Sequence, residues 1–307
     1  MTTTTTATAA GPEVPPVLPG TPIADYALLS DCNSAALVDR AGAVAWLCLP
    51  RFDSPAVLAR VLDPDAGHFS IRPAGEFTAT RRYLPGTLVL ETTFTTATGV
   101  ARVMDALAFA EGQRGHALGL GAPHELLRLV EGVEGEVAMA AELAPRPEYG
   151  LVKPLFRGTE DGGRTFGGPC RIAVRTGAAS RVEDATLRSD FTVRPGERVG
   201  FAMRWSAVED AHPTPTAPDR VAARIADVTE GWRSWEDEHD IYPGPHRDLV
   251  RLSARVLKGL TYRPTGAIVA AATTSLPETV GGERNWDYRF AWIRAASLTV
   301  EALYIGA

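Results

Sequence analysis

Cysteine is scarce. Cys32, Cys48 and Cys170 are the three among 307 residues, an odd number with no CxxC pair. That argues against a disulfide framework and a thiolate zinc site, and for small buried hydrophobes in a reducing compartment. Basic charge is also short: a net charge of −6 speaks against nucleic acid or an anionic membrane surface as partner, because both attract basic patches. No run approaches the ~18 apolar residues of a membrane-spanning helix, so no membrane partner is expected. The histidines, His68, His116, His124, His212, His239 and His246, fall in no HxxxH or HExxH spacing. Neither a metal nor any other cofactor is expected. Ser30, Ser54 and Ser275 lack the GxSxG context of a serine hydrolase. Residues 1–19 are rich in Thr, Ala and Pro and have neither a basic nor an apolar signal region. Residues 1–21 are therefore read as a disordered leader, and the protein as cytoplasmic.

What is present is mostly period two. Leu88, Leu90, Thr92 and Phe94 alternate with Val89, Glu91, Thr93 and Thr95 as a half-buried strand does, and Val103 follows a turn at Thr98-Gly99. Leu126, Leu127, Leu129 and Val130 are denser, the pattern of a strand covered on both faces. Val137, Met139 and Ala141 point one way, and Val199 to Trp205 is another short strand. Many short strands without helices between them predict an antiparallel β-sandwich over residues 22–217. The Gly-rich stretch Gly158 to Pro169 lacks the lysine of a phosphate-binding loop and reads as a long turn.

After His212-Pro213-Thr214-Pro215 the period changes. Val221, Ile225, Val228, Trp232 and Trp235 recur at helical spacing, with Pro218 and Asp219 as a start signal. Tyr242-Pro243-Gly244-Pro245 breaks that helix, and Leu249, Leu252, Val256, Leu257 and Leu260 mark a second. A third is expected to begin near Trp286 and to carry Trp292, Ala296, Val300, Leu303 and Tyr304. The class is mainly β, with a helical linker at 218–262 and the beginning of a further helical unit at 263–307.

Two segments carry a family likeness. The first is Pro22-Ile23-Ala24-Asp25-Tyr26-Ala27-Leu28-Leu29-Ser30-Asp31, leading to Trp46-Leu47-Cys48-Leu49-Pro50-Arg51-Phe52-Asp53-Ser54-Pro55. The second runs from Leu257-Lys258-Gly259-Leu260-Thr261-Tyr262 through Thr273-Thr274-Ser275-Leu276-Pro277-Glu278 to Gly282-Glu283-Arg284-Asn285-Trp286-Asp287-Tyr288-Arg289. Both resemble glycoside hydrolase family 15, which includes glucoamylases, glucodextranases and trehalases. Arg82-Tyr83-Leu84-Pro85-Gly86-Thr87 with Glu91-Thr92-Thr93 leans towards the trehalases. The resemblance covers essentially residues 22–307 and implies a supersandwich-like N-terminal domain, linker helices and an (α/α)6 barrel. It implies an inverting hydrolase with one glutamate as acid and one as base, separated by roughly 6.5–9.5 Å to admit a water.

The resemblance also implies that Tyr288 and Trp292 pack against a glucose ring and that Arg294 binds its hydroxyls. Aromatic faces suit the C–H side of a sugar, and a guanidinium fork suits vicinal hydroxyls; the same aromatic stripe could equally be core. The family follows Trp-x-Arg with Asp, whereas this chain has Ala295. The substitution removes a charge-assisted contact worth ~1.5–3 kcal/mol. A twelve-helix barrel needs roughly 200 residues, and Tyr262 stands 45 residues from the last of 307. The barrel is thus expected to be truncated, with both catalytic glutamates missing from this chain. The substrate of the complete enzyme would be trehalose or another α-glucoside. Glu278, Glu283 and Asp287 read as caps or ion-pair partners, Asp287 beside Arg284 and Arg289. Two rivals stand beside this reading: a non-catalytic sandwich that binds a glucan or a partner protein, and an inactive paralogue marked by Ala295. The apolar last helix predicts self-association.

Overall fold

A computed structural model describes residues 22–278 and 282–306. The leader expected over residues 1–21 lies outside the described residues. Two antiparallel sheets face each other. One runs β1 (Ala27–Ser30), β2 (Ala35–Val38), β3 (Ala43–Cys48), β5 (His68–Pro73), β10 (Val137–Ala144), β15 (Thr186–Val193) and β14 (Arg181–Glu183), with β4 (Ala56–Leu58) beside β3. The other runs β11 (Leu155–Thr159), β12 (Gly162–Phe166), β13 (Cys170–Thr176), β16 (Arg198–Ala207), β9 (Glu125–Gly135), β8 (Gly99–Leu107), β7 (Leu90–Thr95) and β6 (Thr78–Tyr83). The expected antiparallel β-sandwich is the fold.

Alternation places the core. Along β10, Val137, Met139 and Ala141 turn inward and are buried while Ala138 is exposed. They meet Phe94, Val103, Ile172 and Phe201 of the opposite sheet. The rings of Phe69 on β5 and Phe201 on β16 touch edge to face across the sandwich at 6.1 Å. One charge pair is sealed between the layers. Arg128 on β9 bonds Asp105 on β8 (Nε to Oδ1, 2.7 Å) with both side chains 0% exposed. Its other nitrogens donate to the carbonyls of Gly42, at 2.7 Å, and Phe69 on the facing sheet. The guanidinium thereby fixes one layer over the other, and its donors are satisfied as burial requires.

Strand β9 is covered on both faces, as its dense apolar run predicts. Leu126 and Val130 join the sandwich interior, whereas Leu127 and Leu129 lie under helix α1 (Val221–His239). The five stripe residues of α1, Val221 to Trp235, are all buried against that outer face. Each contributes about 1.5–3 kcal/mol of transfer free energy, an upper figure because unfolded chains already bury some area.

Three segments differ from expectation. The Gly158–Pro169 stretch is not a long turn but holds the hairpin β11–β12. Its glycines permit close approach: a Cβ on Gly162 would stand 2.0 Å from the Val174 carbonyl oxygen. In helix α2 (Arg247–Gly259) the buried residues are Ala254, Arg255 and Gly259, so the covered face is offset from the leucine stripe and Leu249 is 64% exposed. Helix α3 (Ile293–Gly306) begins well after Trp286. The preceding residues lie outside any helix because their carbonyls pair elsewhere, Tyr288 O accepting from Ala271 N at 2.9 Å and Phe290 O from Ala270 N at 3.2 Å.

Candidate functional site

The two segments that carry the family likeness meet in space. After α2, a short hairpin of β17 (Thr261–Tyr262) and β18 (Ala267–Ile268) turns the chain back towards β3. There Trp46, wholly buried on β3, donates its indole N–H to the Ala272 carbonyl at 2.8 Å. Ala270 and Ala271 pair with Phe290 and Tyr288 as described, which lays the Trp-Asp-Tyr-Arg segment along the sandwich.

Arg289 locks it there. Its Nη1 donates to Ser54 O at 2.7 Å and to Phe52 O at 3.3 Å, residues 235 and 237 positions away in the chain. Nη2 donates to the Tyr149 hydroxyl at 2.8 Å and to Asp287 Oδ2 at 2.7 Å, while Nε bonds Asp287 Oδ1 at 2.9 Å. The guanidinium also lies over the rings of Tyr149 and Trp46, at 5.5 and 6.0 Å. Burial works against its charge, but bonds to Asp287 and Tyr149 outweigh that and raise its pKa above the ordinary value. Burial likewise pushes the Asp287 carboxyl up, and the Arg289 bonds more than offset it, holding Asp287 below the usual carboxylate range. Cys48, 3.5 Å from Nη1, is pushed up to about 12 by burial and stays a thiol.

Tyr288 and Trp292 flank this anchor. Their rings stack at 5.4 Å with planes 30° apart, Tyr288 half-buried and Trp292 40% exposed. Arg294 stands exposed in the first turn of α3, with no hydrogen-bond or ion-pair partner among the described residues. The structure thus brings two of the three expected sugar-contacting residues together and leaves the third on the adjoining surface. Ala295 beside it is half-buried. A shallow cleft of about 210 Å³ adjoins the segment, with Arg51, Phe52, Tyr262 and Phe290 in its wall, but Tyr288 and Trp292 do not line it. Asp287 pairs with Arg289 rather than with Arg284, and Glu278 and Glu283 are exposed. Sequence reasoning missed Arg289 as the hub and Tyr149 as its partner, since no local signal couples positions 140 residues apart. Among the described residues no group of His, Cys, Asp and Glu could hold a metal ion, and no helix is long and apolar enough to cross a membrane.

Residues 19–189 match the family model described as trehalase-like, N-terminal. This chain belongs to that family. Residues 244–306, which include the Arg289 segment, match glycosyl hydrolases family 15. The chain is similar to the trehalase of Mycolicibacterium smegmatis, 39% identical over 96% of this chain and 46% of that protein. It is also similar to the trehalase of Mycobacterium tuberculosis, 38% identical over 93% of this chain and 44% of that protein. Trehalase 1 of Sulfolobus acidocaldarius is 33% identical over 88% of this chain and 43% of its own length. The chain therefore spans less than half the length of these curated relatives. The trehalase-like match thus runs from before β1 into β15, and the family 15 match takes in α2, the β17–β18 hairpin, Arg289 and α3.

Proposed function

We propose that this chain is the N-terminal part of an inverting α-glucoside hydrolase acting on trehalose, working in the cytoplasm. In this reading residues 22–217 form the sandwich domain, 218–262 the helical linker and 263–307 the start of the catalytic barrel. Tyr288 and Trp292 cover the apolar face of a glucose ring, and Arg294 donates to its hydroxyls. The observation that carries the reading is the stacked pair Tyr288–Trp292 held against the sandwich by Arg289, within a chain similar to trehalases across both of its halves.

The acid and the base lie outside these 307 residues. Asp287 is bonded by Arg289, which holds its carboxyl below the usual range and unsuits it as the acid, and Glu278 and Glu283 stand exposed on the surface. The exposed apolar side chains around α3 support self-association of the isolated chain.

A chimera tests the assignment: this chain followed by the remainder of the M. smegmatis trehalase should release glucose from trehalose. Trp292→Ala should lower its kcat/KM about 10–100-fold through lost ring contact, and Ala295→Asp should raise it by a similar factor, the ~1.5–3 kcal/mol of a restored charge-assisted bond. A folded chimera that ignores trehalose, or that is indifferent to Trp292→Ala, would overturn the reading.

A further inference from the structure

A second, larger cleft lies elsewhere on the sandwich, at the mouth formed by the start of β9 with the loop before it and the end of β16 with the loop after it. Its volume is about 680 Å³, within the range of small-molecule sites. It shares no wall with the Arg289 segment.

Its lining is mixed in charge. Arg204 spends Nε on the Pro123 carbonyl at 3.1 Å and Nη1 on Thr214 O at 3.3 Å, which leaves Nη2 without a partner among the described residues. Asp210, exposed at the rim, has no side-chain partner among them either, and Glu111 reaches only Arg224, at 3.6 Å. Glu125 is 2% exposed, its two oxygens taken by the backbone N–H and hydroxyl of Thr216 at 2.6 and 2.9 Å.

His124 is the unusual member. It holds the left-handed backbone conformation at φ +54°, and its Nδ1 is buried with no hydrogen-bond partner among the described residues. Its ring stands perpendicular to that of Trp205 at 5.8 Å. Strain and an unmatched polar atom both cost free energy, and they persist where a site uses them. Burial and the neighbouring Arg204 lower the His124 pKa, so the ring stays neutral at pH 7.

Charge decides the ligand class. Three carboxylates repel an anion, and two guanidiniums disfavour a cation. An apolar ligand would strand the free donor and acceptors. A hydroxyl both donates and accepts, so a ligand that carries several can satisfy Arg204 Nη2, Asp210 and the neutral His124. We propose that this cleft binds a neutral, polyhydroxylated ligand of one or two sugar rings, independently of the function assigned to Tyr288 and Trp292.

The test uses the ¹⁵N-labelled 307-residue chain and follows the Trp205 indole resonance as trehalose is added to about 50 mM, with sodium sulfate as the charged counter-probe. The expected result is a saturable shift with trehalose, half-complete at about 1–10 mM, and none with sulfate. Asp210→Ala, an exposed change, and His124→Gly, which suits a positive φ, should each weaken it at least about fivefold with thermal melting intact. Trp292→Ala should leave it unaltered. Maltoheptaose separates the sources of such a ligand: a lower half-point assigns a glucan end, an equal or higher one a free disaccharide, and either supports the site. No saturable shift with trehalose, an equal response to sulfate, indifference to both cleft variants, or loss in Trp292→Ala would overturn it.

Discussion

Arg289 carries a charge into a place where its side chain is only 4% exposed, and every nitrogen there has a partner. Removing it leaves Asp287 half-desolvated and strands the carbonyls of Phe52 and Ser54, at a cost of about 3 kcal/mol. The loss should be local. In Arg289→Ala the amides of Ala270 and Ala271, which bond the segment, should lose hydrogen-exchange protection while those of β9 keep theirs. Unchanged exchange at Ala270 and Ala271 would count against the anchor. The Asp287–Arg289 pairing is legible in the sequence because the residues are two apart. The rest of the site is not, because Tyr149 and Ser54 reach it only through the fold.

Asp31 makes a pH prediction at the same scale. Burial raises its carboxyl to about 7, only partly offset by the backbone N–H groups of Ser34 and Asn33. A raised carboxyl binds its proton more tightly when folded, so its contribution is full below about pH 4 and is lost as pH rises through about 7. Asp31→Asn keeps the Oδ1 acceptor and cannot ionise. Urea melts should find it more stable than the parent at pH 8, by of the order of 2 kcal/mol, with a flatter profile between pH 4 and 8. An unaltered pH profile would contradict this.

Among the elements, α1 is the one the sequence describes most fully, because a single helix covers a single sheet face and all five stripe residues find that face. The stripes of α2 and α3 have the right period but no such face. Ile293, Leu298, Val300 and Tyr304 on α3 are each at least 60% exposed, with Trp286 and Phe290 bare beside them. A surface of this kind drives association in water. Light scattering should find oligomers for the intact chain and a monomer once residues 281–307 are removed; a clean monomer in both would contradict it. The boundary of α3 was illegible for a physical reason: the aromatic spacing from Trp286 onward mimics a helix, but pairing with Ala270 and Ala271 wins. The β11–β12 hairpin was hidden in a similar way, since its glycines serve close packing rather than a turn.

At the scale of the whole molecule, the order of sandwich, helices and a short final helix was readable from the switch of period near residue 217, and the family from two motifs that turn out to be neighbours. The two sheets are stapled by Arg128 with Asp105, and against the loop after β3 Arg289 holds the segment that carries the Tyr288–Trp292 ring pair. Beyond the matched residues the curated relatives extend for more than half of their length, since the chain covers only 46% of the M. smegmatis trehalase. On the reading proposed above, Tyr288 and Trp292 face the sugar and the catalytic carboxylates lie elsewhere. The most direct measurement is glucose release from trehalose and from maltose by the purified 307-residue chain, in a coupled assay over hours. The account predicts no release above a buffer blank. Enzyme-dependent release that is lost on mutation of Glu278, Glu283 or Asp287 would contradict it, because carboxylates within these residues would then be performing the chemistry.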